Sequence, residues 1–110
     1  RYTYDEAVSR WGSQLPTKAQ LDELIDECTW TWTGSGYKVT GPNGNSITLP
    51  AAGRRDCYGN VDWVGKNGYC WSSSPDDSGY AWFLYFNPSG VFMVNDYRCF
   101  GQSVRLVQKL

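Results

Sequence analysis

The amino-acid sequence predicts an α+β domain in which two helices pack on a mostly antiparallel sheet with long loops. Three observations carry this expectation. Two capping boxes, each followed by apolar residues at helical spacing, lie within the first 28 residues. After Cys28 the apolar period changes from 3.6 to 2. From there short alternating runs are punctuated by Gly, Pro, Asn and Asp. Helices first and a meander afterwards is the α+β order.

Thr3 and Glu6 have capping-box spacing, and Tyr4, Ala7, Val8 and Trp11 recur at helical intervals, so a short helix is expected over about 4–11. Gly12 ends it. Thr17 and Gln20 form a second box after Pro16; Leu21, Leu24, Ile25 and Cys28 make its apolar stripe, and Asp22, Glu23, Asp26 and Glu27 face water. Thr29 to Thr33 alternates Thr with Trp, as a half-buried strand should. Gly34-Ser35-Gly36 turns the chain into a strand at Tyr37–Thr40, the Asn-Gly of GPNGN marks a hairpin, and Ser46–Leu49 returns before Pro50.

Residues 50–68 show no period and read as a long ordered loop, a common place for function. Strands are expected at Tyr69–Ser73, Ala81–Phe86, Val91–Val94 and Ser103–Val107. The intervening Ser74–Gly79, Asn87–Gly90 and Asn95–Gln102 read as turns or loops.

A chain of 110 residues suits one domain with one modest core. The formal charge of −1, from 10 basic and 11 acidic residues, offers no reason to expect nucleic acid as a partner. No stretch approaches the ~20 apolar residues of a membrane helix. The start at Arg1 without Met reads as a processed protein or a domain excised from a longer chain. With no histidine, imidazole bases and His-dependent zinc sites are excluded. The cysteines Cys28, Cys57, Cys70 and Cys99 form no C-x-x-C; one disulfide or none, with the rest as partly buried thiols, is the expectation.

LPTKAQLDELIDECTWTW, GYKVTGPNGNSITLPAAG, the WSSS at Trp71–Ser74, AWFLYFNPSGV and GQSVRLV occur in that order. Together they resemble the Fibrobacter succinogenes major paralogous domain, over about Leu15 to Val107. The resemblance implies a C-type-lectin-like fold, with two helices on a twisted antiparallel sheet and long display loops. It further implies kinship with the variable, target-binding proteins of diversity-generating retroelements in gut Bacteroidetes and their phages. In those proteins the segment from WSSS to SVR is the one rewritten.

By that resemblance Leu84 and Phe86 occupy apolar scaffold positions, which puts Trp82, Leu84 and Phe86 on the core face and leaves Phe83 and Tyr85 outside. Phe92, Asn95, Asp96, Tyr97, Cys99, Phe100 and Gln102 fall where the family tolerates change, while Arg98, Gly101, Ser103, Val104 and Arg105 match scaffold. With Tyr80, these give the expected ligand-binding set: Tyr80, Phe83, Tyr85, Phe92, Asn95, Asp96, Tyr97, Cys99, Phe100 and Gln102. Aromatics on a rigid frame supply contact area at low entropic cost, and Asn and Asp supply adaptable hydrogen bonds. The competing view, that these rings are core, is weakened by six tryptophans that already furnish core material.

Rival chemistries fare less well. Asn95-Asp96 resembles the Trp-Asn-Asp calcium motif of sugar-binding C-type lectins, but Val94 stands in the Trp position and too few oxygen ligands accompany it. Asp76-Asp77 reads as a solvated turn rather than a catalytic pair, and Arg54-Arg55 as a solvated or carboxylate-paired surface. No catalytic residue, metal or cofactor is expected. The function expected is recognition of a protein or glycan on a target cell surface, by an extracellular, cell-surface or virion protein that contacts neither nucleic acid nor the membrane interior. The alternative is a structural or adhesive domain of a secreted lipoprotein.

Overall fold

The computed structural model describes residues 1–76 and 79–106. Both helices form behind their capping boxes. The Thr3 hydroxyl accepts the Glu6 amide while the Glu6 carboxylate accepts the Thr3 amide, and α1 runs Tyr4–Trp11. Thr17 and Gln20 repeat the exchange ahead of α2, Lys18–Glu27. Each such cap contributes about 1 kcal/mol.

The strands sort into three groups. β1 (Thr29–Trp32), β2 (Gly36–Thr40) and β3 (Ser46–Pro50) form one antiparallel sheet. β4 (Arg54–Arg55) and β5 (Val61–Asp62) form a ribbon. β6 (Gly68–Pro75), β7 (Tyr80–Asn87) and β8 (Gly90–Tyr97) form a second antiparallel sheet. The expected single sheet is thus divided. Gly53, at φ +69°, lets the backbone press against residues 62–64 so closely that a Cβ would overlap them, folding the ribbon back on itself.

Two other expectations are corrected. Asn95 to Tyr97 extend β8, paired with Trp82 to Tyr80, rather than opening a loop. The closing strand does not form over residues 103–106: isolated bridges join Tyr2 to Gln102, Arg55 to Gly101 and, in parallel, Cys70 to Ser103. Val107 lies outside the described residues, as do Asp77 and Ser78 of the expected turn.

The second sheet is buried on both faces. On one, Cys70, Leu84 and Phe86 meet Leu21 of α2 and Tyr37, Val39 and Leu49 of the first sheet. On the other, Trp71, Ala81 and Phe83 meet Tyr4 and Ala7 of α1 and Leu15. A strand covered on both sides carries two apolar sets, so the rings alternating with Leu84 and Phe86 are not outside. Phe83, expected on the display, is only 2% exposed. Gly68 has its reason here too: a Cβ would overlap the Phe86 ring across β6 and β7.

The WSSS stretch ties both helices to this sheet. Trp71 Nε1 donates to the Tyr2 carbonyl at 2.8 Å, and its ring meets Tyr4 edge-on. The Ser73 carbonyl accepts the Tyr4 hydroxyl, its amide donates to Pro16, and Ser74 Oγ accepts the first amide of α2, from Lys18. Ser72 Oγ donates to the Trp82 carbonyl at a register shift between Trp71 and Pro75. Four consecutive residues thereby satisfy buried polar groups on three elements.

One disulfide, Cys57–Cys99, spans 42 residues with Cα atoms 5.1 Å apart; Cys28 and Cys70 are free. Burial pushes the Cys70 thiol up to about 12, against a smaller lowering from Arg105, so it remains an inert core thiol.

Candidate binding site

Tyr69, Tyr85 and Phe92 stand in register across β6, β7 and β8 of the second sheet. Their spacing of 5.2 Å and 6.3 Å between ring centroids makes a continuous aromatic row. Phe92, on the outermost strand, is 48% exposed. Amides hold the two phenols: Asn67 Nδ2 donates to the Tyr69 hydroxyl and Asn87 Nδ2 to that of Tyr85. Burial raises the Tyr69 pKa, opposed by the Asn67 bond and Arg54, so the phenol is neutral at physiological pH.

Arg54 closes the row from the ribbon. Its guanidinium lies 4.3 Å from the Phe100 centroid and 5.3 Å from that of Tyr69, inside cation–π range. Asp62 approaches its Nε at 3.7 Å and Asp96 its Nη1 at 3.6 Å. These are ion pairs rather than hydrogen bonds, and the buried Arg54 Nε and Asp62 Oδ1 have no hydrogen-bond partner among the described residues. Arg54 is thus carboxylate-paired, one of the two states its sequence context allowed. Arg54, Tyr69, Phe83, Tyr85, Val94, Asn95 and Asp96 line a cavity of about 270 Å³. Asn95 is steadied by donating to Asp76.

Of the ten residues expected to bind ligand, four therefore line one pocket, Phe83, Tyr85, Asn95 and Asp96, and Phe92 flanks it by stacking on Tyr85. Phe83 contributes only to the buried floor. Tyr85 is half-buried and packs against the α1-side core instead of standing free on an outer face. The others separate from it. Phe100 is half-buried beneath Arg54. Cys99 is consumed by the disulfide to Cys57, so it offers no thiol. Gln102 is fully buried: its backbone exchanges two 2.8 Å bonds with Tyr2, and its amide nitrogen and oxygen lack partners among the described residues. Tyr80 and Tyr97 stack at 5.1 Å. Tyr97 and Cys99 border a different cleft with Thr3, Asp5 and Arg98. Arg98 Nε donates to the Tyr80 carbonyl, anchoring the strand end.

Arg54 and Tyr69 lie outside the set expected from the sequence. So do Tyr58, Val61, Trp63 and Val64, the exposed apolar residues of the 50–68 segment. The signal was there: apolar side chains in an aperiodic, glycine-rich stretch have no core face to occupy. Tyr58 is 92% exposed on a turn built by Asp56, whose carboxylate accepts the amides of Tyr58 and Asn60 and the Asn60 side chain. Trp63 sits at φ +62°, the one non-glycine residue with positive φ among the described residues, a conformation a bulky side chain adopts only when its surroundings enforce it.

The hydrogen bond from the Asn60 amide is the largest cause holding Asp56 below the usual carboxylate range. A depressed folded pKa stabilises the turn above the unfolded value, and this is lost as pH falls through the folded value. The Tyr58 and Asn60 amide resonances are expected to titrate together, with a midpoint below that of an unstructured Asp. A midpoint at or above the unstructured value would remove this account.

Among the described residues no helix is long and apolar enough to cross a membrane, and no cluster of three or more His, Cys, Asp or Glu could hold a metal. Residues 14–107 match the model of a family described as a domain of unknown function (DUF8237). No curated protein and no solved structure matches the chain.

Proposed function

The chain belongs to the DUF8237 family, and from that premise we propose that it is a recognition module: the variable target-binding domain of a diversity-generating retroelement protein, displayed on a cell surface or phage. Its frame is C-type-lectin-like, and it performs no catalysis. The observation that carries this reading is the convergence of Tyr85, Asn95 and Asp96 with Arg54 on one open pocket, flanked by the exposed Phe92 ring stacked on Tyr85, on a sheet whose remaining inward positions are core. The resemblance of WSSS, AWFLYFNPSGV and GQSVRLV to the retroelement proteins supports it independently. Rings held by buried neighbours lose little entropy on binding, which is what a replaceable contact surface on a fixed frame requires.

The coding DNA decides the matter. A nearby template repeat and reverse transcriptase are expected, with copies of the gene differing at Phe92, Asn95 and Asp96. Trp71, Phe83, Leu84 and Phe86 are expected to stay constant. Free variation at Phe83 matching that at Phe92 would rule the reading out, because Phe83 has no route to a ligand except as floor.

A further inference from the structure

Resting on the recognition reading, we propose that the pocket between Arg54, Tyr85 and Asp96 takes a single pyranose ring of a glycan, and does so without calcium. Size comes first: about 270 Å³ lies just below the ~300–1,000 Å³ of drug-sized ligand pockets, room for one small ring.

Charge narrows the choice. One guanidinium stands between two carboxylates, Asp62 at 3.7 Å and Asp96 at 3.6 Å. Of these only Arg54 and Asp96 line the pocket; an anion reaching Arg54 meets Asp96 and a cation reaching Asp96 meets Arg54, so this charge-balanced lining favours a neutral ligand. That ligand must also be polar. Asp96 offers acceptor lone pairs. Asn95 donates one amide hydrogen to Asp76 and keeps its carbonyl oxygen. The Tyr85 oxygen accepts from Asn87 Nδ2 at 3.1 Å, leaving its own O–H to donate. An apolar ligand would strip water from these groups and replace nothing. Neighbouring sugar hydroxyls, each both donor and acceptor, match such a mixed rim.

The remaining requirement is a flat apolar surface for the C–H face of the ring. Arg54 covers Phe100 and Tyr69, but Phe92 is 48% exposed and lies 26° from the plane of Tyr85. Tyr69 and Phe83, both buried, make the floor rigid. Among the described residues Asp96 is the one carboxylate in the lining, far short of the about six to eight oxygen ligands calcium takes.

The probe is a panel of methyl pyranosides of glucose, galactose, mannose and N-acetylglucosamine, followed by saturation-transfer NMR in EDTA. At least one is expected to bind with a Kd of about 1–10 mM. Phe92→Ala and Asp96→Asn should each weaken it by about tenfold or more, with Lys38→Ala, on the first sheet, as an unchanged control. A folded ¹H–¹⁵N spectrum for each variant excludes loss of structure. Absence of transfer from every pyranoside, or binding indifferent to both pocket variants, overturns the proposal. A parallel panel of purified, deglycosylated cell-surface proteins separates the two levels of inference. Capture of one that depends on Phe92 and Asp96, without sugar binding, sinks the pyranose and keeps the recognition module. If neither sugars nor proteins respond to these residues, both fall.

Discussion

Phe83→Ala is expected to lower the unfolding free energy by about 3–5 kcal/mol, while Tyr97→Ala costs under about 1 kcal/mol. The two residues read alike in the sequence, as rings in the segment that the resemblance implies is variable, yet the fold treats them oppositely. Phe83 is 2% exposed and meets Trp71 edge-on at 5.5 Å and Tyr69 at 6.0 Å. Its removal leaves a cavity bounded by a strand on each side and α1 above, where little can collapse to fill it. Tyr97 is 52% exposed, and its contacts are a stack on Tyr80 and a tilted approach to Phe100. Leu84→Ala, on the opposite face of β7, should cost about 2–5 kcal/mol. Chemical denaturation with matched m-values distinguishes the cases. Equal losses at Phe83 and Tyr97 would mean that the α1-side cluster is not a core.

The element types were legible because they rest on local chemistry. Both capping boxes form as reciprocal bonds, and the change of period at Cys28 marks the start of β1. The faces of β7 were not legible, because alternation separates two sets of side chains without saying how many layers the sheet lies between. Phe83 and Leu84 look like outside and inside only if one face is wet. The ends of strands suffered similarly: Asn95-Asp96-Tyr97 has the composition of a loop, yet pairing with Tyr80 to Trp82 overrides that local preference. In and beside the pocket, Tyr85, Asn95, Asp96 and the flanking Phe92 were legible through period and resemblance. Arg54 was not, because its position depends on a two-residue ribbon held by Gly53, with no period to announce it. Cys99 and Gln102 were misassigned for a related reason. Their surroundings come from Cys57 and Tyr2, far away in the chain.

Removing the Cys57–Cys99 bond is the second large effect expected. By the chain-entropy relation, a cross-link closing 42 residues restricts the unfolded state by about 4 kcal/mol, a large share of the ~5–15 kcal/mol typical of a whole domain. The loss should appear equally in Cys57→Ser, Cys99→Ser and the double variant, since each removes the same bond. Reductant should destabilise the parent and leave the double variant's melting temperature unmoved, because Cys28 and Cys70 are not cross-linked. The fold itself should survive: Arg55 and Gly101 still exchange two 2.8 Å backbone bonds, and Gln102 still pairs with Tyr2. What loosens is the stretch between β8 and that bridge, which carries Phe100 beneath Arg54. Ligand affinity should therefore fall along with stability, and more than Lys38→Ala changes either. A double variant that melts with the parent would show that the Asp56 turn and the Arg55–Gly101 bridge already constrain this segment without the covalent bond.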